Sequence, residues 1–195
     1  SGSVAVFWME RRDQQVESST QLVLGDPLSF VYFTDNAARG RNRGVEAALD
    51  WRLTPRWSLG GSAGLLQATY RKYLNAGRDL TGREQPHAPE HQYALYSDYR
   101  HPRGWFARLD VAARDAFYFS ASHDERSRPY TLTNIKLGLA TRSTTVELWA
   151  RNLFDVEYTQ RGFFFGNEPP DFASKRYTQT GDPRQVGITL RYVWQ

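Results

Sequence analysis

The chain has 195 residues, a formal net charge of +4, 14% aromatic and 24% charged residues, and no cysteine. Disulfides and thiolate metal sites are therefore excluded, and positive charge spread along the chain without a basic block leaves no nucleic-acid footprint. The apolar runs are only a few residues long, too short for a membrane-crossing helix, and no signal peptide is visible. A chain rich in Trp, Tyr and Phe yet hydrophilic on average suits a transmembrane barrel better than a compact soluble core. Its apolar side chains would face outward, alternating with polar ones that face a wet interior. The opening Ser1-Gly2-Ser3 runs almost at once into a strand-like segment, as expected of a mature fragment or a truncated reading frame.

Period two governs the chain. A first strand is predicted over 4–15, followed by a long connection from Val16 to Ser29. The second, 29–53, alternates Val45, Ala47, Leu49, Trp51 and Leu53 with Glu46, Ala48, Asp50 and Arg52. It holds Gly40 and Gly44 and is read as one bulged strand, because a turn near Ala37 to Arg43 would break the alternation of short and long connections. The short Thr54-Pro55-Arg56-Trp57 turn leads into 57–73, where Gly60, Gly61 and Gly64 point to close packing or a bend. A long loop, Leu74 to Ala88, precedes strand 89–100, and the short His101–Gly104 turn leads into 105–120. There Trp105, Ala107, Leu109, Val111 and Ala113 alternate with the polar Arg108, Asp110 and Arg114. The long Ala121–Pro129 connection is followed by strand 130–141, a short Thr141–Thr144 turn and strand 144–158. The longest connection, Thr159 to Pro183, precedes 184–194, where Val186, Ile188, Leu190, Tyr192 and Trp194 alternate with Gln185, Gly187, Thr189 and Arg191. Helices would need apolar spacings of three and four, which these segments lack.

Eight strands joined alternately by short and long connections follow the plan of an outer-membrane barrel. Short turns lie in the periplasm, long loops lie outside, and the C-terminus is periplasmic. Strand length beyond the 9–11 residues that cross the hydrocarbon would stand above it as a collar. The aromatics near strand ends are Trp57, Tyr70, Tyr73, Tyr99, Trp105, Phe117, Tyr118, Phe119, Tyr158, Tyr192 and Trp194. They are expected to form interfacial girdles.

Four segments resemble the TonB-dependent outer-membrane receptors. Asn36 to Glu46 (NAARGRNRGVE) is similar to a strand motif of that family, with Ala37 and Ala38 where a glycine is common. Gln85-Pro86-His87-Ala88-Pro89 resembles its proline-containing approach to a descending strand. Asn152-Leu153-Phe154-Asp155 with Tyr158 resembles its Asn-Leu-Phe-Asp-x-x-Tyr signature. Asp182-Pro183-Arg184, leading to Tyr192 and Trp194, resembles its C-terminus, although Gln195 follows where relatives end on the aromatic. The order and spacing agree over nearly the whole chain.

The resemblance implies an all-β, antiparallel up-and-down transmembrane β-barrel. Residues 1–195 would supply about eight C-terminal strands of a 22-stranded barrel. The plug domain, energy-coupling box and remaining strands of such a receptor are not among these residues. It further implies a receptor in the outer membrane of a Gram-negative cell that imports a scarce nutrient. A ferric siderophore is the commonest ligand class, with cobalamin, haem or a glycan open. The implied partners are the TonB energy-coupling complex acting on the plug, outer-membrane lipid, and the barrel-assembly machinery reading the terminal aromatics.

A self-contained eight-stranded barrel with a structural or adhesive role is the second reading. Its closed interior would have to pack Glu46, Asp50, Arg52, Arg108, Asp110, Arg114, Glu147, Arg151 and Arg191, at several kcal/mol of desolvation for each unpaired charge. A wide, hydrated lumen removes that cost. An outer-membrane lipase or acyltransferase is the third reading, hinted at only by His123 beside Ser120 and Ser122.

No catalytic, cofactor or metal site is expected. Asn152, Leu153, Phe154, Asp155 and Tyr158 are read as structural, since Asn and Asp near a strand end can bond backbone and Phe154 and Tyr158 can pack. His87 and His91, near Glu84 and Glu90, cannot share a helix across Pro86 and Pro89 and are expected in a solvated loop. Arg108, Asp110 and Arg114 share one strand face, with Asp115 on the other, and are expected to form a lumenal ion ladder. The ligand-facing candidate is the last loop, with Arg161, Phe163, Phe164, Phe165, Asn167 and Phe172, stiffened by Pro169 and Pro170. Aromatics with an arginine suit an anionic or aromatic iron chelator. Arg71, Lys72, Tyr73 and Arg78 are a weaker basic candidate, and Asp124, Glu125, Arg126 and Arg128 are expected to be solvated.

Overall fold

Strict alternation of apolar and polar residues gives strands with two unlike faces, and such strands build the whole wall of this protein. The computed structural model describes residues 1–23, 26–75 and 77–194, so Gln195 lies outside the described residues. The strands are β1 (Gly2–Gln21), β2 (Phe30–Thr54), β3 (Trp57–Lys72), β4 (Leu74–Asn75), β5 (Arg78–Asp79), β6 (His91–Arg100), β7 (Trp105–Arg114), β8 (Tyr130–Ala140), β9 (Thr144–Arg151), β10 (Thr159–Phe165), β11 (Lys175–Thr180) and β12 (Gln185–Tyr192). Eight of them form one antiparallel sheet in the order β1-β2-β3-β6-β7-β8-β9-β12, while β4–β5 and β10–β11 are small hairpins within the long connections. The sheet is open, with β1 and β12 at its edges.

The eight strands, their order and the alternation of short and long connections follow the sequence pattern. The second strand is single, and it bulges between Asp35 and Ala38, where three steps face two from Val16 to Gln14 on β1, and again between Arg52 and Thr54 against β3. The short turns close on local bonds. Gly104 donates its N–H to the His101 carbonyl at 2.9 Å with a φ of 91°, and the Thr144 N–H donates to Thr141 Oγ1 at 3.0 Å.

The outer face is a continuous apolar surface. Val186, Ile188 and Leu190 are 72%, 69% and 69% exposed, and their register partners Leu148 and Val146 on β9 carry the row onward. Among the described residues no second layer lies over these side chains, and the only helical turn is the 3-10 segment Pro27–Ser29. Apolar surface facing water costs roughly 25 cal/mol per Å², and hydrocarbon is the environment in which that cost vanishes. Trp57, Tyr99, Trp105 and Tyr192 project from this face near the short-turn end, the position of an interfacial girdle.

The inner face is ionic. Arg108 pairs with Asp110 at 2.7 Å and lies 4.7 Å from the centre of the Tyr96 ring, Arg100 pairs with Asp98 at 2.9 Å, and Lys136 pairs with Glu147 at 3.5 Å. Tyr96 donates its hydroxyl to Asp50 across β3. That bridge needs Gly60, because a Cβ there would lie 2.5 Å from Tyr96 Cε1 and 2.8 Å from Asp50 Oδ1.

Three expectations are corrected. Strand 105–120 ends at Arg114 and strand 144–158 ends at Arg151, while β1 runs on to Gln21. Tyr70, Tyr73, Phe117 and Phe119 are not girdle residues: they are buried, Tyr73 at 0% and Phe117 at 1% exposure. The reason is parity and chain direction. Tyr70 has the inward parity of β3, and the segment after Arg114 leaves the wall and folds back, with the Ser127 N–H bonded to the Phe117 carbonyl at 2.9 Å. The charges 124–126 are also not simply solvated, because they cross-link loops, as described next.

Candidate ligand-binding site among the long loops

Long loops stay ordered only where they bury side chains or satisfy backbone groups against one another. Here the loop between β3 and β6 and the loop between β7 and β8 share a small core of Val16, Tyr70, Tyr73, Leu80 and Ala121. Arg83 joins them. Its side chain is only 10% exposed, and it donates to the carbonyls of Ala121 at 3.0 Å, Ser120 at 3.0 Å and His123, while lying 4.2 Å from the Tyr118 ring centre. Arg126 sits 4.4 Å from that same ring and pairs with Glu84 at 2.8 Å, and Arg78 pairs with Asp124. Hydrogen bonding to Arg78 holds the Asp124 carboxyl below its usual range, with the Arg83 charge acting in the same direction.

The β10–β11 hairpin leans on this block. Arg176 reaches Glu125 at 3.4 Å, the rings of Phe164 and His123 are 5.9 Å apart, and Phe119 covers Gly162, where a Cβ would sit 2.2 Å from the ring. Further along the hairpin Tyr177 donates to Glu168 at 3.1 Å and stacks on Phe165 at 5.0 Å. Between hairpin, block and the upper ends of β1 and β2 lies a cavity of about 260 Å³, lined by Tyr32, His87, Ser122, His123, Arg161 and Phe164 among others. Phe163 and Phe165 also line it.

Burial pushes His87 below its usual value, reinforced by Arg161 and Arg114 and opposed by a hydrogen bond to the Phe119 backbone, and burial does the same to His123, with Glu125 opposing and Arg83 assisting, so both rings favour the neutral form. The Glu125 N–H donates to His123 Nδ1 at 3.3 Å, which leaves Nε2–H as the free donor of the neutral ring. Among the described residues Arg161 has no carboxylate within 4.0 Å. The cavity therefore offers Arg161, with no carboxylate within 4.0 Å among the described residues, the Nε2–H of His123, hydroxyls and phenyl faces to a planar or aromatic anion, while the N–H of His87 is taken by the Phe119 backbone.

Four of the six residues singled out from the sequence, Arg161, Phe163, Phe164 and Phe165, come together here, whereas Asn167 and Phe172 lie toward the hairpin tip and do not line the cavity. Sequence reasoning missed His87, His123, Tyr32 and Phe119. The Pro86–Pro89 frame, which fixes His87 at a φ of 55°, was the available signal for the first of these. His91 points to the other face and meets Asp115 at 3.4 Å, so the two histidines are not a pair. No cluster of three metal-ligating side chains occurs among the described residues.

Asn152 and Asp155 close the base of the last connection. Asn152, buried with a φ of 46°, donates its side chain to the carbonyls of Val156 at 2.9 Å and Asp182 at 3.1 Å, and its Oδ1 accepts from the Val156 N–H at 2.9 Å. Asp155 accepts from the Arg184 N–H at 2.8 Å. Tyr158 packs on Tyr130 at 4.7 Å, Leu153 donates to the Thr133 carbonyl at 2.8 Å, and Phe154 instead projects outward, 69% exposed. Tyr192 and Trp194 form an edge-to-face pair at 4.9 Å at the short-turn end.

A family model described as TonB dependent receptor-like, beta-barrel, matches residues 1–153. The chain belongs to the TonB-dependent receptor β-barrel family. Solved structures of similar fold include the ferric yersiniabactin uptake receptor FyuA from Yersinia pestis, at 22% identity and a TM-score of 0.74 over 98% of this chain and 27% of that one. The siderophore receptor PiuA from Acinetobacter baumannii matches at 15% identity and a TM-score of 0.71 over 98% of this chain and 26% of that one. The ferric-catecholate import receptor Fiu from E. coli K12, in its closed form, matches at 19% identity and 0.71 over 98% of this chain and 25% of that one. The chain thus spans about a quarter of the length of these receptors. As a member of this barrel family, it is an outer-membrane wall segment.

Proposed function

We propose that this chain supplies the C-terminal wall and loops of a receptor that imports a ferric siderophore across the outer membrane. The long loops would face outward, and the short turns and C-terminus would face the periplasm. The observation that carries the reading is the cavity at the long-loop end, where Arg161, free of carboxylates among the described residues, His87 and His123, and Phe163 and Phe164 converge above an ion-paired inner face. An anionic chelate would set its oxygens on Arg161, lay planar rings against the phenyl groups, and accept a bond from the Nε2–H of neutral His123. Release inward would pass along the hydrated ionic face, driven by the TonB energy-coupling complex through a plug outside this chain. Binding and passage need no covalent step. The uptake and import receptors that share the fold support the reading. The open sheet, with β1 and β12 unpaired to one another, favours a larger barrel over a closed one of eight strands. Tyr192 and Trp194, exposed at the final strand, fit the signal read by barrel-assembly machinery.

The test uses the intact receptor that contains this chain, titrated with a panel of ferric siderophores, haem, cobalamin and glycans by tryptophan fluorescence. A ferric siderophore should bind most tightly, and Arg161→Gln should weaken it about 10- to 100-fold, the worth of one charge-assisted hydrogen bond. Preference for another panel member redirects the ligand class. Binding of a ferric siderophore that ignores Arg161→Gln refutes the site.

A further inference from the structure

The outer face is apolar along most of β2, but it changes character abruptly at Arg43. Leu53, Trp51, Leu49 and Val45 share one face, and Arg43 and Arg41 continue the same row. Ten residue steps from Leu53 to Arg43 span about 34 Å along the strand, or about 26 Å along the membrane normal at a tilt of about 40°. That is the height of a barrel's apolar band, so Arg43 stands at its boundary on the long-loop side. Trp8 lies there too, with the guanidinium groups of Arg41 and Arg43 at 5.3 and 5.6 Å from its ring centre. Arg43 donates to Gln67 at 2.6 Å. The charges acting on Arg41 are Arg71, Arg43 and a single carboxylate, Glu10. Among the described residues no carboxylate comes within 4.0 Å of these three arginines, and Arg41 Nε is buried without a partner. A groove of about 670 Å³ descends from this cluster, lined by Trp8, Arg43 and Gln67 at the top and by Val6, Val45 and Leu65 below, with Glu90 and His91 on its β6 side.

We propose that this groove binds a phosphate-bearing lipid of the leaflet on the long-loop side. Arg41 feels two neighbouring guanidinium groups against the one carboxylate of Glu10, so an anion at the top of the groove, away from Glu90 on its β6 side, completes the group. Phosphate matches the guanidinium fork bidentately, and the flat, weakly hydrated group tolerates the interfacial setting beside Trp8. The aliphatic floor of Val6, Val45 and Leu65 lies directly beneath, so the occupant has a charged head and an acyl chain, which a free phosphate lacks. The proposal rests on the membrane orientation given under Proposed function.

The experiment places the intact receptor in nanodiscs and follows retained lipid by native mass spectrometry. The probes are diphosphoryl lipid A, its dephosphorylated form and inorganic phosphate. Each interfacial arginine is worth about fivefold in affinity for an anionic lipid, so Arg41→Gln with Arg43→Gln should weaken diphosphoryl lipid A about thirtyfold. The charge-matched control, Arg56→Gln with Arg142→Gln in the short turns, should leave it unchanged. Heat-modifiable gel migration reports that each variant is folded. Unchanged retention by the Arg41/Arg43 variant, equal retention of the dephosphorylated lipid, or inorganic phosphate binding as tightly as the lipid would each overturn the proposal. Siderophore titration of the same preparations separates this failure from failure of the receptor reading, because Arg41 and Arg43 do not line the loop cavity.

Discussion

Replacing Arg83 with methionine should loosen the loops without unfolding the wall. The guanidinium donates to three backbone carbonyls, stacks on Tyr118 and contacts Asp124 at 3.4 Å, all while 10% exposed. A net worth of about 1.5 kcal/mol for each charge-assisted bond gives roughly 4–5 kcal/mol, and some of it returns when water reaches the orphaned carbonyls. A loss of about 3–4 kcal/mol raises local opening by a factor on the order of a few hundred. The assay is amide hydrogen exchange on the intact receptor. The reporters are Leu80, Gly82, Phe119 and Ser127, whose N–H groups bond Tyr73, Tyr70, Glu125 and Phe117 within the two loops. Amides of the β9–β12 ladder should not change. Arg83→Lys should fall between, since one ammonium cannot reach all three carbonyls in plane. Unchanged protection at these four amides in the methionine variant would refute the view that one side chain couples the loops.

Placing arginine at Ile188, on the outer face, should cost about 2–4 kcal/mol of folding in lipid, whereas arginine at the inward Thr189 should cost little, as read by denaturant titration in vesicles. Gly60→Ala should cost about 1–3 kcal/mol, and much less in a Tyr96→Ala background, because the Cβ collides with that ring; additive effects would remove the argument. His87 and His123 protonate near 6.5 when unfolded and only at lower pH when buried, so their contribution is complete above that value and is lost as pH falls through it. Protection factors in loop 115–129, taken against the base-catalysed intrinsic rate at each pH, should therefore fall on acidification, and His87→Gln with His123→Gln should flatten the profile. Asn152→Ala removes three hydrogen bonds at the base of the last connection and should slow the appearance of heat-resistant, folded barrel; unimpaired assembly would contradict its structural role.

The wall was legible because each strand states its two environments residue by residue. Val186 to Tyr192 need no partner to announce an apolar face, and a slip of one position would turn every member of that row inward. The loops were less legible because their order depends on contacts between segments distant in the chain. Arg83 reads as a solvated charge until Ser120, Ala121 and His123 are brought to it. Phe117 and Phe119 continue the strand pattern in sequence, yet the chain turns away after Arg114 and makes them core. Arg161 and the Phe163–Phe165 run were visible by composition, but the histidines that complete the cavity lie in two other loops, His87 marked only by its flanking prolines and His123 by no local pattern.

Asn152 and Asp155 fasten both legs of the final connection at its root, next to β9 and β12. Whatever happens beyond that clasp is mechanically insulated from the ladder below it. Selection can therefore rewrite the β10–β11 finger, by substitution, lengthening or exchange between relatives, while the neighbouring strands keep their alignment. Under the proposed receptor function, a change of imported nutrient would need only a new fingertip, with the wall left as it is.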